Sequence, residues 1–263
     1  MIAPALQRAP KLALVTGGMH RLGAAIAARL AAAGYSLALH KHHAAELAPE
    51  LASTVAEHRT DWHRFRADLS DPGEVAALIP QVIAHFHRAP DLLVNNAALF
   101  GEGGWEALTV ADLARMTAVN FHAPVLLAHA LVSASPPTSQ PAIVNIVDQR
   151  VANPVPDQLA YSLSKGALFQ ATRTLAAAFG ARARINAVAP GLTIITPDYA
   201  PGQTERLAAR MPLGRLPDPA DVADAVLFLA QAKAVTGQTI FVDGGASLAP
   251  LGRDFVYLES DDA

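Results

Sequence analysis

Tyr161 and Lys165, in the stretch YSLSKGALF, stand four residues apart, a spacing that puts both on one face of a helix. A free phenol ionises at about pH 10 and is a poor acid–base group at neutral pH. A neighbouring ammonium favours the phenolate, and bringing the phenol to about 7 takes roughly 4 kcal/mol of differential stabilisation at low dielectric. Any helix can carry such a pair, so it needs companions. Thirteen residues before the tyrosine, NIVDQR places Asp148. An ionised carboxylate accepts hydrogen bonds and donates none. Beside a phenol it suits a substrate edge bearing N–H or NH2 groups, works as an acid if its own proton is retained, or marks a degenerate, inactive site.

A second chemistry-bearing stretch is VTGGMHRLG, Val15 to Gly23. Strand, glycine turn and amphipathic helix follow in order, and a helix start offers N–H groups and a positive dipole end to a pyrophosphate. Against the spacing T-G-x-x-x-G-x-G, Thr16, Gly17 and Gly23 fit, while Arg21 stands where the middle glycine belongs. At the end of the next apolar run, an acid would bind an NAD ribose 2′-hydroxyl and cations would favour a 2′-phosphate. The chain has LHKHHAAE there, with no acid before Glu46. His40, Lys41 and His42 are therefore read as positive charge favouring NADP(H). The histidine cluster is read as a polar cofactor rim and not as a metal site.

These residues need a frame that brings them to one edge. The runs KLALVTG, SLALHK, HRFRADL, DLLVNNAA, AIVNIVD, ARINAVAPG and GQTIFVDGG have strand length. Between most of them lie Ala- and Leu-rich stretches of helical spacing. The alternation predicts an α/β single-domain Rossmann fold, a doubly wound parallel sheet of about seven strands with helices on both faces. Residues 1–10 form an arm, 11–250 the cofactor-binding and catalytic domain, and 251–263 a tail with no assigned role. Ser133 to Pro141 reads as a connection within that domain.

With 263 residues, 52% apolar and 16% charged, the chain can bury a full core. A net charge of −3 gives no case for nucleic acid or a membrane surface. No cysteine is present, which points to a cytoplasmic setting. The first ten residues are too short and Pro-broken for a signal peptide, and no long uncharged apolar run predicts a membrane span.

Taken together, the chain resembles the short-chain dehydrogenase/reductase family over nearly its whole length. The resemblance rests on TGGMHRLG, on ADL at Asp68 and Leu69, and on NNAA with Asn96 and Ala97. It continues through Asn120 in VNF, Tyr161 and Lys165, PGL at Pro190 and Gly191, and VDGG at Val242–Gly245. It implies hydride transfer with a nicotinamide cofactor, Tyr161 as acid–base, and Lys165 binding the nicotinamide ribose and tuning the tyrosine. Asn120 would hold a relay water and Asp68 would contact adenine. The cofactor set it implies is Gly17, Arg21, Leu22, Gly23, His40, Lys41, His42, Asp68, Leu69, Asn96, Ala97, Tyr161, Lys165, Pro190, Gly191 and Thr193.

Most members carry a serine where Asp148 stands. Pteridine reductases and dihydromonapterin reductase-like proteins, a branch of the family, are similar in having the aspartate, the arginine in the glycine turn, and a phenylalanine matching Phe100 in NNAALF. There the phenylalanine stacks the pterin on the nicotinamide. Arg21 would touch both cofactor phosphate and the pterin's polar edge, making Arg21, Phe100, Asp148 and Tyr161 the substrate set. Two positions depart from that branch: His43 replaces an arginine and Ala98 a serine. The resemblance thus implies an NADPH-dependent reductase of a dihydropterin or dihydrofolate-like compound, assembled as a homotetramer. The alternatives are a carbonyl or 3-oxoacyl reductase of the same family and a non-catalytic NADP sensor. Trp105 either lines the pocket or caps the next helix.

Overall fold

Each of the seven apolar runs forms a strand: β1 (Leu12–Val15), β2 (Ser36–Lys41), β3 (Trp62–Arg66), β4 (Leu92–Asn95), β5 (Ala142–Ile146), β6 (Arg184–Pro190) and β7 (Thr239–Val242). All neighbours pair in parallel, in the order β3-β2-β1-β4-β5-β6-β7. The computed structural model describes residues 10–43, 46–101, 103–249 and 251–259. The expected arm through residue 9, and residues 260–263 of the expected tail, lie outside the described residues.

The helices are α1 (Arg21–Ala32), α2 (Pro49–Glu57), α3 (Pro72–Phe86), α4 (Val110–Thr117), α5 (Ala123–Ala134), α6 (Leu159–Phe179), α7 (Gln203–Arg210) and α8 (Pro219–Gln231). Strand side chains alternate between faces, so β1 divides its core residues. Ala13 and Val15 pack with α1, α2 and α8, while Leu12 and Leu14 pack with α3 and α5. Continuous apolar strands are what a sheet covered on both faces requires. The expected doubly wound single domain is what forms.

Strand order reverses between β1 and β4, which opens a crevice beyond their C-terminal ends. The loops after β1, β2, β3, β4, β5 and β6 carry the candidate residues, so the parallel sheet delivers them all to one edge. Residues 110–134 form a helical stretch of 25 residues, long and apolar enough by length and composition to cross a membrane. Half of its most apolar window is buried inside the domain, where α5 packs on α3 and α6. A five-residue π-helical turn, Ala118–His122, joins its two α-helical parts.

Residues 251–259 do not trail from the domain as a separate tail. Leu251 and Phe255 are buried with Leu192, Leu207, Met211 and Ala246 in a small core beside α7. The acidic end of the sequence masked these two apolar anchors.

Candidate active site

The turn after β1 is built for close approach of backbone. Gly17 has a φ of +60°, and a Cβ on Gly23 would lie 2.0 Å from the Gly17 carbonyl oxygen. Thr16 Oγ1 accepts the main-chain N–H groups of Asn96 and Ala97 at 2.9 and 3.0 Å. In return Asn96 Nδ2 donates to the Thr16 and Gly17 carbonyls at 2.9 and 3.3 Å. The loops after β1 and β4 are thus locked together at the switch point. Helix α1 has no capping side chain and no acid in its first turn, so its free N–H groups and positive dipole end face an anion unopposed. This cradle fits the pyrophosphate of a dinucleotide.

Arg21 keeps the backbone of the glycine it replaces. Its φ is +51°, a left-handed conformation that costs a non-glycine residue about 1–2 kcal/mol. The side chain is exposed, and Leu22 beside it packs on the core that α1 covers. Arg21 has no hydrogen bond or ring contact with Phe100, Asp148 or Tyr161 here.

At the end of β2 the expected cationic role of His40 does not hold. The ring is only 2% exposed. Its Nδ1 accepts the Gly17 N–H at 3.2 Å and its Nε2 lies 3.0 Å from the Ala67 carbonyl oxygen. That tautomer is neutral, and burial lowers the pKa below its ordinary 6.5. His40 braces the glycine loop from beneath; Lys41, half-buried, and the exposed His42 remain as the basic side chains at the rim. His42 Nε2 lies 3.4 Å from Asp68 Oδ2, and Asp68 Oδ1 accepts the N–H and hydroxyl of Ser70 at 2.8 and 2.7 Å. Those Ser70 bonds hold the Asp68 pKa below the usual carboxylate value. The Leu69 side chain is core, so only its backbone is at the rim. Among the described residues no group of three metal-ligating side chains forms.

The reacting cluster lies beyond β5. Tyr161 and Lys165 are both buried on α6. Tyr161 Oη donates to Asp148 Oδ2 at 2.9 Å. Lys165 Nζ donates to the Ile146 carbonyl at 2.8 Å and lies 5.8 Å from the Tyr161 ring centroid. The ammonium was expected to favour the phenolate; the structure shows the opposite balance. Burial, then the Asp148 carboxylate, pushes the phenol well above its ordinary value, and burial lowers Lys165 to about 8. Tyr161 is therefore a proton-bearing phenol, a donor.

Asn120 sits in the π-helical turn with both its Nδ2 hydrogens and its Oδ1 in hydrogen bonds. Oδ1 accepts the Leu99 N–H at 2.8 Å, and Nδ2 donates to the Leu99 carbonyl and to Ser164 Oγ at 2.9 and 3.0 Å. It ties the Phe100 loop to α6. Phe100 is 57% exposed, and its ring meets that of Tyr161 edge-on at 4.8 Å. Trp105, 72% exposed, stands on the following short turn with no buried packing of its own. Pro190, the last residue of β6, is buried, and Thr193 in the loop after it is half-buried. A Cβ on Gly191 would lie 2.8 Å from Asp243 Cα, so that turn closes only around a glycine.

Arg150, two residues past Asp148, was not singled out from the sequence. Only 5% exposed, it donates through Nε to Asp148 Oδ1 at 3.2 Å and through Nη1 to Gln158 Oε1 at 2.9 Å. Its Nη2 pairs with Asp254. The guanidinium carbon lies 5.0 Å from the Tyr161 centroid and 5.9 Å from that of Phe100. Its adjacency to Asp148 was the one available signal. Asp254 had none, being 104 residues away.

Residues 18–247 match the family model described as enoyl-(acyl carrier protein) reductase. The chain is 34% identical to a putative ketoacyl reductase of granaticin polyketide synthesis from Streptomyces violaceoruber, covering 90% of this chain and 96% of that protein. It is also 34% identical, with the same coverage, to pteridine reductase 1 of Leishmania tarentolae. The crystal structure of FolM alternative dihydrofolate reductase 1 from Brucella canis, complexed with NADP, superposes with a TM-score of 0.84 at 37% identity over 92% of this chain and 96% of that one. With a parallel Rossmann sheet, an open phosphate turn, and a phenol and ammonium four residues apart at the strand ends, the chain belongs to the NADP-dependent short-chain dehydrogenase/reductase family of oxidoreductases.

Proposed function

We propose that the protein is a cytoplasmic NADPH-dependent reductase of a pteridine, a dihydropterin or dihydrofolate-like bicycle. The carrying observation is the 2.9 Å bond from Tyr161 to an Asp148 carboxylate whose other oxygen is held by Arg150. The carboxylate thus accepts on both oxygens, from the guanidinium on Oδ1 and from the phenol on Oδ2. Such a group repels a bare carbonyl oxygen and attracts an N–H and NH2 edge. Phe100 adds an exposed aromatic face beside Tyr161 for a flat, electron-poor ring. The similarity to the Leishmania pteridine reductase and the Brucella protein supports the same substrate class.

NADPH, when bound, supplies hydride to the carbon of a ring C=N bond. The chain's residues manage the proton. Tyr161 gives its proton to the nitrogen, directly or through water, so one C–H and one N–H bond form as the double bond is lost. Arg150 and Lys165, with charged atoms 5.0 and 5.8 Å from the ring centroid, offset the negative charge left on the phenol oxygen. Asn120 would act by holding the Leu99 main chain and Ser164 in place beside Tyr161. Lys41 and His42 would take the 2′-phosphate, with His42 shared with the Asp68 carboxylate 3.4 Å away, and Arg21 a phosphate oxygen and the substrate's edge. Exposed Leu126 on α5 and Leu163 on α6 support a homotetramer, which a mass measurement in solution checks.

A ketone substrate is the second reading, favoured by the protonated state of Tyr161 and the ketoacyl reductase relative. NADPH oxidation measured with dihydropterins beside acetoacetyl thioesters separates the two. Pterin turnover is expected, lost in Asp148→Ser while NADPH binding persists. Thioester turnover without pterin turnover, or unaltered pterin kinetics in Asp148→Ser, overturns the assignment.

A further inference from the structure

We propose that Asp254, carried in by the C-terminal segment, is a positioning residue of the active site: it holds the Arg150 guanidinium and, through it, the Asp148 carboxylate against Tyr161. The inference rests on the reading of Asp148 and Tyr161 as the reacting pair. Its basis is a closed chain of contacts between segments distant in sequence.

Asp254 is 7% exposed and uses both carboxylate oxygens. Oδ2 pairs with Arg150 Nη2, and Oδ1 accepts the Val256 N–H at 3.1 Å. Its own N–H donates to Asp157 Oδ2 at 2.8 Å, and Arg253 Nη2 donates to Asp157 Oδ1 at 3.1 Å. Asp157 precedes Gln158, the N-terminal flank of α6, whose Oε1 is a second acceptor for Arg150. The segment is therefore clamped on the residues that open the catalytic helix.

Its far side is fixed as well. Buried Gln203 of α7 donates through Nε2 to the carbonyls of Phe255, Val256 and Leu258, at 3.3, 3.1 and 2.6 Å. Arg206 donates to the Glu259 carbonyl at 2.6 Å, and Arg210 pairs with the Glu259 carboxylate at 2.8 Å. A segment with such anchors holds its carboxylate at a set point, which a surface ion pair does not.

The charges explain why the carboxylate matters. Around Tyr161 stand Asp148 and Arg150 from the turn after β5, Lys165 from α6, Asp254 from the C-terminal segment, and the Tyr199 phenol after β6. Asp148 and Asp254 raise the protons of both Tyr161 and Tyr199, and Arg150 opposes them. Without Asp254 the guanidinium has Asp148 as its one carboxylate partner and draws it away from the phenol. One negative charge is also gone, so the protons of Tyr161 and Lys165 are lost more easily.

The test compares Asp254→Asn and Asp254→Glu with the wild type. Melting temperature and NADPH binding establish that each variant is folded. Tyrosine ionisation followed by ultraviolet absorbance, with Tyr161→Phe subtracted, reads Tyr161 without any substrate. In the Asn variant Tyr161 is expected to ionise at lower pH. On whichever panel substrate the wild type reduces, kcat falls about tenfold, KM for NADPH stays within about twofold, and the alkaline limb moves down by about half a pH unit or more. The Glu variant restores the limb. An Asn variant with wild-type ionisation and wild-type kcat overturns the proposal. So does one that loses melting temperature and rate without moving the limb, because that describes a structural role only. A wild type that reduces thioesters and no pterin refutes the pteridine assignment and leaves this comparison intact.

Discussion

The imidazole Nδ1 of His40 accepts the main-chain N–H of Gly17 at 3.2 Å, so the phosphate-binding turn is pinned to the second strand by a neutral ring. Protonation removes that acceptor. The folded-state pKa lies below the ordinary 6.5, so the folded protein binds the proton less readily than the unfolded chain. The stabilisation is whole above the unfolded value and is lost as pH falls through 6.5 toward the folded value. Melting temperature measured against pH should fall below about 6.5, and His40→Gln should flatten part of that slope while weakening NADPH binding several-fold.

Arg21 holds a glycine-like φ of +51°. Arg21→Gly relieves that strain and is expected to raise stability by up to about 1–2 kcal/mol in denaturant unfolding, less the entropy that glycine regains in the unfolded chain. The loss of one charged contact should cost about tenfold or more in kcat/KM. A variant less stable than the wild type, or one with unchanged kinetics, contradicts the assigned trade of backbone ease for charge.

Lys165 is lowered to about 8 by burial, so its ammonium is lost as pH rises through that value. If the charge is what offsets the forming phenolate, kcat/KM declines on the alkaline side near 8. Lys165→Met should remove this limb with most of the rate. Tyr161→Phe should keep NADPH affinity and lose about 100- to 10,000-fold in kcat.

Arg150→Leu leaves Asp148 and Asp254 without their shared cation in a buried site. Breaking a buried pair from one side costs about 3–5 kcal/mol, read as a lower denaturant midpoint. Asp148 then loses the side-chain donor on its Oδ1, so turnover that depends on its seat beside Tyr161 should fall more than NADPH binding does. The loss in kcat set against the loss in NADPH affinity, followed by steady-state rates and binding, distinguishes a displaced carboxylate from a general loss of packing.

Much of this site was legible along the chain because its parts are local. A glycine turn between strand and helix, and a tyrosine and lysine one helical turn apart, obey periodicities that sequence displays directly. His40 shows where such reading stops. Its type suggests a cation at a rim, and only the 2% exposure and the two bonds to Gly17 and Ala67 make it a neutral brace. Arg150 was hidden differently: an arginine in a loop is usually solvated, and its burial depends on partners contributed by three other stretches.

The sequence alone determined the seven-stranded parallel sheet, the cofactor turn, and the set of residues placed at the strand ends. Alternating apolar runs permit few other architectures, and parallel strands send their following loops to one edge. Only the tertiary structure decided the protonation balance at Tyr161, the partner of Asp148, and the attachment of residues 251–259 to the reacting centre. Charge states and desolvation depend on distances between groups up to 104 residues apart, and no spacing within a single segment encodes those distances.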